Sequence, residues 1–80
     1  MYDKLTRSDI EKMQKEIEER KLVKRPELIA AVKEARAQGD LSENFEYHAA
    51  RSEKGQNESR ITYLENMIKT AVIVDDGDRK

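Results

Sequence analysis

Eighty residues, 36% hydrophobic and 5% aromatic, can bury only a small core, which limits the chain to one domain and excludes an enzyme built round a dry, roomy cleft. Charged residues make up 41% of the chain yet nearly cancel at a net −1, the mark of exposed helix faces or coiled coil rather than of an independent DNA binder. There is no cysteine for a disulfide or a zinc-thiolate site and no apolar run long enough for a signal peptide or a membrane span, so a cytoplasmic protein without membrane contact is expected.

Thr6-Arg7-Ser8-Asp9-Ile10-Glu11 reads as a helix start, with Ser8 as the cap and Glu11 completing a capping box, so a first helix should begin near Asp9. Ile10, Met13 and Ile17 recur at spacings of three and four, while Lys12, Lys15, Glu16, Glu18 and Glu19 occupy the other faces. Pro26 lacks an amide proton and disfavours helix at Arg25; the helix should break or kink around Leu22 to Arg25 and resume with Pro26 in its first turn. Leu28, Ile29, Val32 and Ala35 then carry the apolar stripe onward. Gly39, after Arg36-Ala37-Gln38, is the expected stop, because glycine takes positive φ without a Cβ clash.

Asp40, with Glu43 three residues on, forms a second capping-box-like start, for a helix from about Leu41 to about Thr70. So short a connection makes the helices antiparallel, and the expected fold class is all-α: a two-helix hairpin, an intramolecular coiled coil, with its tip at Gly39 to Asn44. Ile61, Leu64, Ile68 and Ala71 should meet Ile10, Met13 and Ile17 at the base. In the middle, Ala49, Ser52, Gly55, Gln56 and Ser59 are expected near the seam, their small side chains letting the helices approach. Ala71-Val72-Ile73-Val74 is β-prone, and Asp75-Asp76-Gly77-Asp78 is a turn signal. The organisation expected is a hairpin domain over 1–74 and a tail or linker over 75–80, leading to a second, sheet-containing domain of a longer protein.

From Ala37 to Ala50 there is no lysine or arginine, while Asp40, Glu43 and Glu46 all fall in that window. Asp40 at a helix N-cap and Glu43 one turn on can converge on a point beyond the hairpin and share a cation. Magnesium suits such a pair, since it takes one or two protein carboxylates and completes its octahedron with water and phosphate oxygens. The same acids are equally favoured in the first turn of any helix by its exposed amides and dipole, and spacing alone does not separate a metal ligand from an ordinary cap. Leu41, Phe45 and Tyr47 read as tip packing, and His48 as a half-exposed helix residue. Arg36 and Arg51 flank the acidic window and can meet a phosphate backbone or pair in solvent. The Arg20-Lys21-Lys24-Arg25 cluster reads as a solvated face or a contact for nucleic acid or a partner.

The run from Glu34 to Arg51 resembles the signature of the bacterial Gre transcript-cleavage factors: Glu34-Ala35-Arg36, Gly39-Asp40-Leu41, Glu43-Asn44, Glu46-Tyr47 and Ala49-Ala50-Arg51 match the family pattern. Similarity extends to Arg25-Pro26-Glu27-Leu28-Ile29 and from Arg60-Ile61 to Val74-Asp75, most of the chain, whereas the family's C-terminal domain has no counterpart here. The resemblance implies an accessory factor and not an enzyme in its own right: a monomeric hairpin that enters the secondary channel of bacterial RNA polymerase and stimulates hydrolysis of backtracked RNA in the polymerase active site. It implies that Asp40 and Glu43 are the catalytic, magnesium-binding acids. Arg36 and Arg51 would contact the 3′ end of the extruded RNA, and Leu41, Ser42, Asn44 and Tyr47 would contact the polymerase. Two other readings are a homologous regulator that occupies the same channel and inhibits, and a structural coiled coil that self-associates through Ile10, Met13, Ile17, Ile61, Leu64 and Ile68.

Overall fold

A computed structural model of the chain describes residues 4–39 and 44–74. A short strand β1 (Lys4–Thr6) leads into helix α1 (Arg7–Glu19), a π-helical turn (Arg20–Lys24) and helix α2 (Arg25–Arg36); helix α3 (Phe45–Thr70) returns and ends in strand β2 (Val72–Val74). The architecture is the expected antiparallel hairpin, drawn out to 56 × 24 × 19 Å. Its base carries an addition that the sequence reading only half saw. β2 pairs in parallel with β1, in the register Lys4 with Val72, Leu5 with Ile73 and Thr6 with Val74. The tail expected over 75–80 lies outside the described residues.

Strand pairing also decides where α1 starts. Thr6 is the last residue of β1 and still extended, at φ −83° and ψ 167°. It is therefore the N-cap: its hydroxyl accepts the Asp9 amide at 3.1 Å, while its own amide donates to the Asp9 carboxylate at 3.0 Å. The capping box is Thr6 with Asp9, not Ser8 with Glu11, and the helix begins at Arg7 rather than Asp9. Thr6 is also among the most buried side chains in the molecule.

The seam on α3 is a regular three-four repeat of buried or half-buried residues: Tyr47, Ala50, Lys54, Asn57, Ile61, Leu64, Ile68 and Ala71. Ala49, Ser52, Gly55, Gln56 and Ser59, expected near it, are all exposed, and nothing lies within 4 Å of a Cβ placed on Gly55. The repeat set by Ile61, Leu64 and Ile68 runs back unbroken onto Asn57 and Lys54, so the seam continues on polar positions rather than on the small ones. On the first arm, Ile10, Met13, Ile17 and Arg20 keep the same repeat. Continued unchanged it would reach Lys24, Glu27, Ala31 and Glu34, two of them acids. The residues that actually face the seam include Arg25, Leu28, Val32 and Ala35, one position later each time.

The π turn accommodates that extra residue. Its closing bond runs from the Arg25 amide to the Arg20 carbonyl, five residues back instead of four. Pro26 follows inside the first turn of α2, where its missing N–H and its ring are tolerated best. The deformation expected near Pro26 is thus a widening of a helix whose backbone stays right-handed throughout, since Lys24 and Arg25 sit at φ −64° and −58°. Past α2, Gly39 takes φ +138° with open space around it, so its positive φ is a requirement of the backbone rather than of packing.

Candidate functional site

The far end of the hairpin closes on Asn44. This residue, extended at φ −90° and ψ 92°, is the N-cap of α3. Its side-chain oxygen accepts the Tyr47 amide at 2.9 Å, and its side-chain nitrogen donates to the Ala35 carbonyl at 2.6 Å. One amide therefore satisfies an orphan donor at the start of α3 and a carbonyl in the last turn of α2, tying the two arms together. The helix expected from Leu41 starts at Phe45, and its cap is Asn44 and not Asp40. Asp40, Leu41, Ser42 and Glu43 lie outside the described residues. They form the segment between Gly39 and Asn44, both of which have defined conformations. In chemical type, two carboxylates three residues apart are the hard oxygen donors that magnesium takes.

Tyr47 stands one turn into α3 with its ring buried, only 7% exposed. The Arg36 guanidinium carbon lies 5.6 Å from the ring centroid, and its NH2 approaches the phenol oxygen at 3.5 Å. That hydrogen bond is long, but it favours the phenolate, and the guanidinium charge adds to it. Arg36 first, with Arg51 reinforcing it, holds the Tyr47 phenol below its usual value of 10.0. The two arginines singled out in the sequence, far apart in the chain and on different arms, are thus gathered around one tyrosine. Both keep exposed side chains, so the pair forms a small basic face at the far end of the hairpin. Tyr47 packs at the closure of the hairpin, as its reading as tip packing expected, whereas the closing role of Asn44 was not assigned from sequence. Phe45, expected to pack at the tip, is 85% exposed instead. His48 is exposed and meets the edge of Tyr47, with ring centroids 5.5 Å apart.

The basic cluster over 20–25 is largely committed to the hairpin. Arg25 forms a fork on Glu58, with Nε 2.7 Å and NH2 2.8 Å from its carboxylate, and Lys21 pairs with Glu65 at 2.6 Å. Arg20 contacts Glu16 at 2.8 Å and the side-chain oxygen of Asn57 at 2.9 Å. Arg60 joins Glu16 from α3 at 2.9 Å, and the hydrogen bonds from Arg60 and Arg20 outweigh desolvation to hold the Glu16 carboxyl at about 2. Among the described residues, no group of three or more histidine, cysteine or acidic side chains is arranged to hold a metal ion, and no helix is long and apolar enough to cross a membrane.

The family described as "Transcription elongation factor, N-terminal" matches residues 4–73. The chain is 49% identical over 73 residues to the transcription elongation factor GreA of Staphylococcus carnosus strain TM300, covering 91% of this chain and 46% of that protein. It is 48% identical over 75 residues to transcription elongation factor GreA of Staphylococcus aureus strains JH9 and Newman, covering 92% of this chain and 48% of those proteins. The chain therefore spans about half the length of the curated relatives it matches. With the family matched from β1 through β2 and the hairpin in place, the chain belongs to the GreA/GreB transcription elongation factor family, whose N-terminal part it represents.

Proposed function

We propose that this hairpin acts in transcription elongation by entering the secondary channel of bacterial RNA polymerase and stimulating the polymerase's own hydrolysis of backtracked RNA. The observation that carries the reading is the layout of the far end. In sequence the acid-bearing run Asp40 to Glu43 lies between two flanks whose anchoring is defined, and the Arg36 and Arg51 pair is gathered on Tyr47 within those flanks. Acids in the connection between the arms and a basic pair on the adjoining helix turns suit a channel in which the tip meets a metal site and the flank meets an RNA phosphate backbone. Magnesium shared with the polymerase supplies the positive charge that activates water and stabilises phosphoryl transfer. Asp40 and Glu43 would be its ligands from this chain, and Arg36 and Arg51 would hold the RNA 3′ end. Leu41 and Ser42 would touch the polymerase, together with whatever edges of Asn44 and Tyr47 the closure leaves free.

On this reading the chain is an accessory factor, works in the cytoplasm as a monomer, and has no nuclease activity alone. Two exposed carboxylates compete poorly with magnesium's hydration shell, so affinity in the isolated chain should be weak. The self-associating coiled coil is disfavoured because Ile10, Ile61 and Leu64 are already buried within the hairpin, with Met13, Ile17 and Ile68 half-buried beside them. The test is a backtracked polymerase complex carrying end-labelled RNA, challenged with a protein containing this hairpin. Release of short 3′ fragments supports the proposal; slowed elongation without cleavage would favour the inhibitory homologue.

A further inference from the structure

The Arg20 carbonyl closes the π turn by accepting the Arg25 amide. The same carbonyl accepts a second hydrogen bond, at 3.2 Å, from the side-chain nitrogen of Asn57 on the opposite arm, whose oxygen in turn accepts from the Arg20 guanidinium at 2.9 Å. Asn57 is 4% exposed and occupies a seam position between Lys54 and Ile61, where an apolar residue would pack better. A helical turn holding one extra residue is not fixed in place by its own backbone: the excess can pass to the next turn by exchanging one carbonyl acceptor for its neighbour. Each turn that the excess passes over rotates by roughly 100° and shifts by about 1.5 Å, and closing the π turn to ordinary α-helical bonding would do the same to all of α2. Here such a transfer would begin to replace Leu28, Val32 and Ala35 at the seam with the register of Glu27, Ala31 and Glu34. A buried polar residue that sacrifices some stability to fix one register is a known device of coiled coils.

We infer that Asn57 is a positioning residue: by gripping both the carbonyl and the guanidinium of Arg20 it pins the π turn, and so fixes the rotation at which α2 presents the far end of the hairpin. The inference rests on the proposed function only for its consequence in cleavage; the register itself is read without polymerase. The chain has no cysteine, so spin labels placed by Ala30→Cys and Ser52→Cys, both exposed and on opposite arms beyond the turn, report it cleanly. The wild-type background should give one narrow inter-label distance. Asn57→Leu should leave the melting temperature unchanged or raised while broadening or splitting that distance. Asn57→Asp, which keeps the acceptor for the Arg20 guanidinium but loses the donor to the Arg20 carbonyl, should also broaden the distance, though less than leucine does. In a longer protein containing the hairpin, Asn57→Leu should lower the maximal cleavage rate several-fold with half-saturation little changed, as misaimed groups do. One narrow, unshifted distance in Asn57→Leu would overturn the inference whatever the cleavage assay shows. If leucine prevents folding, Asn57→Ala carries the same expectation, and failure of both to fold would show that Asn57 holds the fold and not its register.

Discussion

Asn44 joins α3 to α2 through two hydrogen bonds, so its loss should cost more than an ordinary cap. Asn44→Ala is expected to destabilise the hairpin by about 2 kcal/mol, combining a lost cap with an unpaired Ala35 carbonyl, as read by urea unfolding. Asn44→Ser, which restores the cap acceptor without reaching Ala35, should fall between. Tyr47 offers a local electrostatic test. Since Arg36 is the first cause of its lowered phenol, Arg36→Ala should move its titration up toward 10.0, followed by phenolate absorbance with Tyr47→Phe as the blank. The tip signature was legible as a run of residue types, but the division of labour within it was not. Asp40 and Asn44 are both good caps by composition, and only the meeting of Asn44 with a carbonyl nine residues earlier decides between them.

At the scale of elements, the two described glycines predict opposite outcomes. Gly39, at φ +138°, should resist any side chain, and Gly39→Val should cost roughly 1–3 kcal/mol or rearrange the turn. Gly55, inside α3 with open space where a Cβ would stand, should accept alanine with a gain of about 0.5–1 kcal/mol. Equal effects of Gly39→Ala and Gly55→Ala on the unfolding midpoint would contradict this account. The mid-hairpin ion pairs make a pH prediction. Glu16 titrates at about 2 in the folded chain against an ordinary 4.5, so the stability it confers is fully present above 4.5 and is lost as pH falls toward 2. Glu58, lowered by Arg25, acts in the same direction. Glu16→Gln should flatten the decline in unfolding midpoint across that window, by an amount that solvent screening keeps modest.

The π turn was partly legible as well. Pro26 announces a disturbance, but its form lies in a phase offset: the stripe through Ile10, Met13 and Ile17 and the stripe through Leu28, Val32 and Ala35 differ by one residue, which only a count across both reveals. The Lys4–Thr6 strand left no such trace. Three residues with a single leucine, too few for a strand pattern, become a strand because Val72–Val74 lies alongside, a pairing distant in sequence that no local pattern encodes.

Taken whole, the molecule is a lever rather than a globule, with a radius of gyration of 17.3 Å where a compact chain of this length would have roughly 12 Å. Among the described residues the buried apolar ones are Ile10, Ile61 and Leu64 towards the base and Ala35 and Tyr47 at the far end, and the stretch between is bridged by charged and amide groups. Such a rod can carry a chemically distinct tip far from its base, as the proposed function requires. Because Asn44 caps α3, Asp40 and Glu43 are not needed for that purpose, and their substitution should separate activity from stability. The most direct measurement is single-turnover cleavage of backtracked RNA by polymerase saturated with a longer, docked protein bearing Asp40→Asn or Glu43→Gln, beside its thermal unfolding. The account predicts an unfolding temperature close to wild type and a stimulated rate reduced about 10²–10³-fold, equivalent to losing about 3–4 kcal/mol of transition-state stabilisation. Cleavage within a few-fold of wild type for both variants, with docking intact, would contradict it.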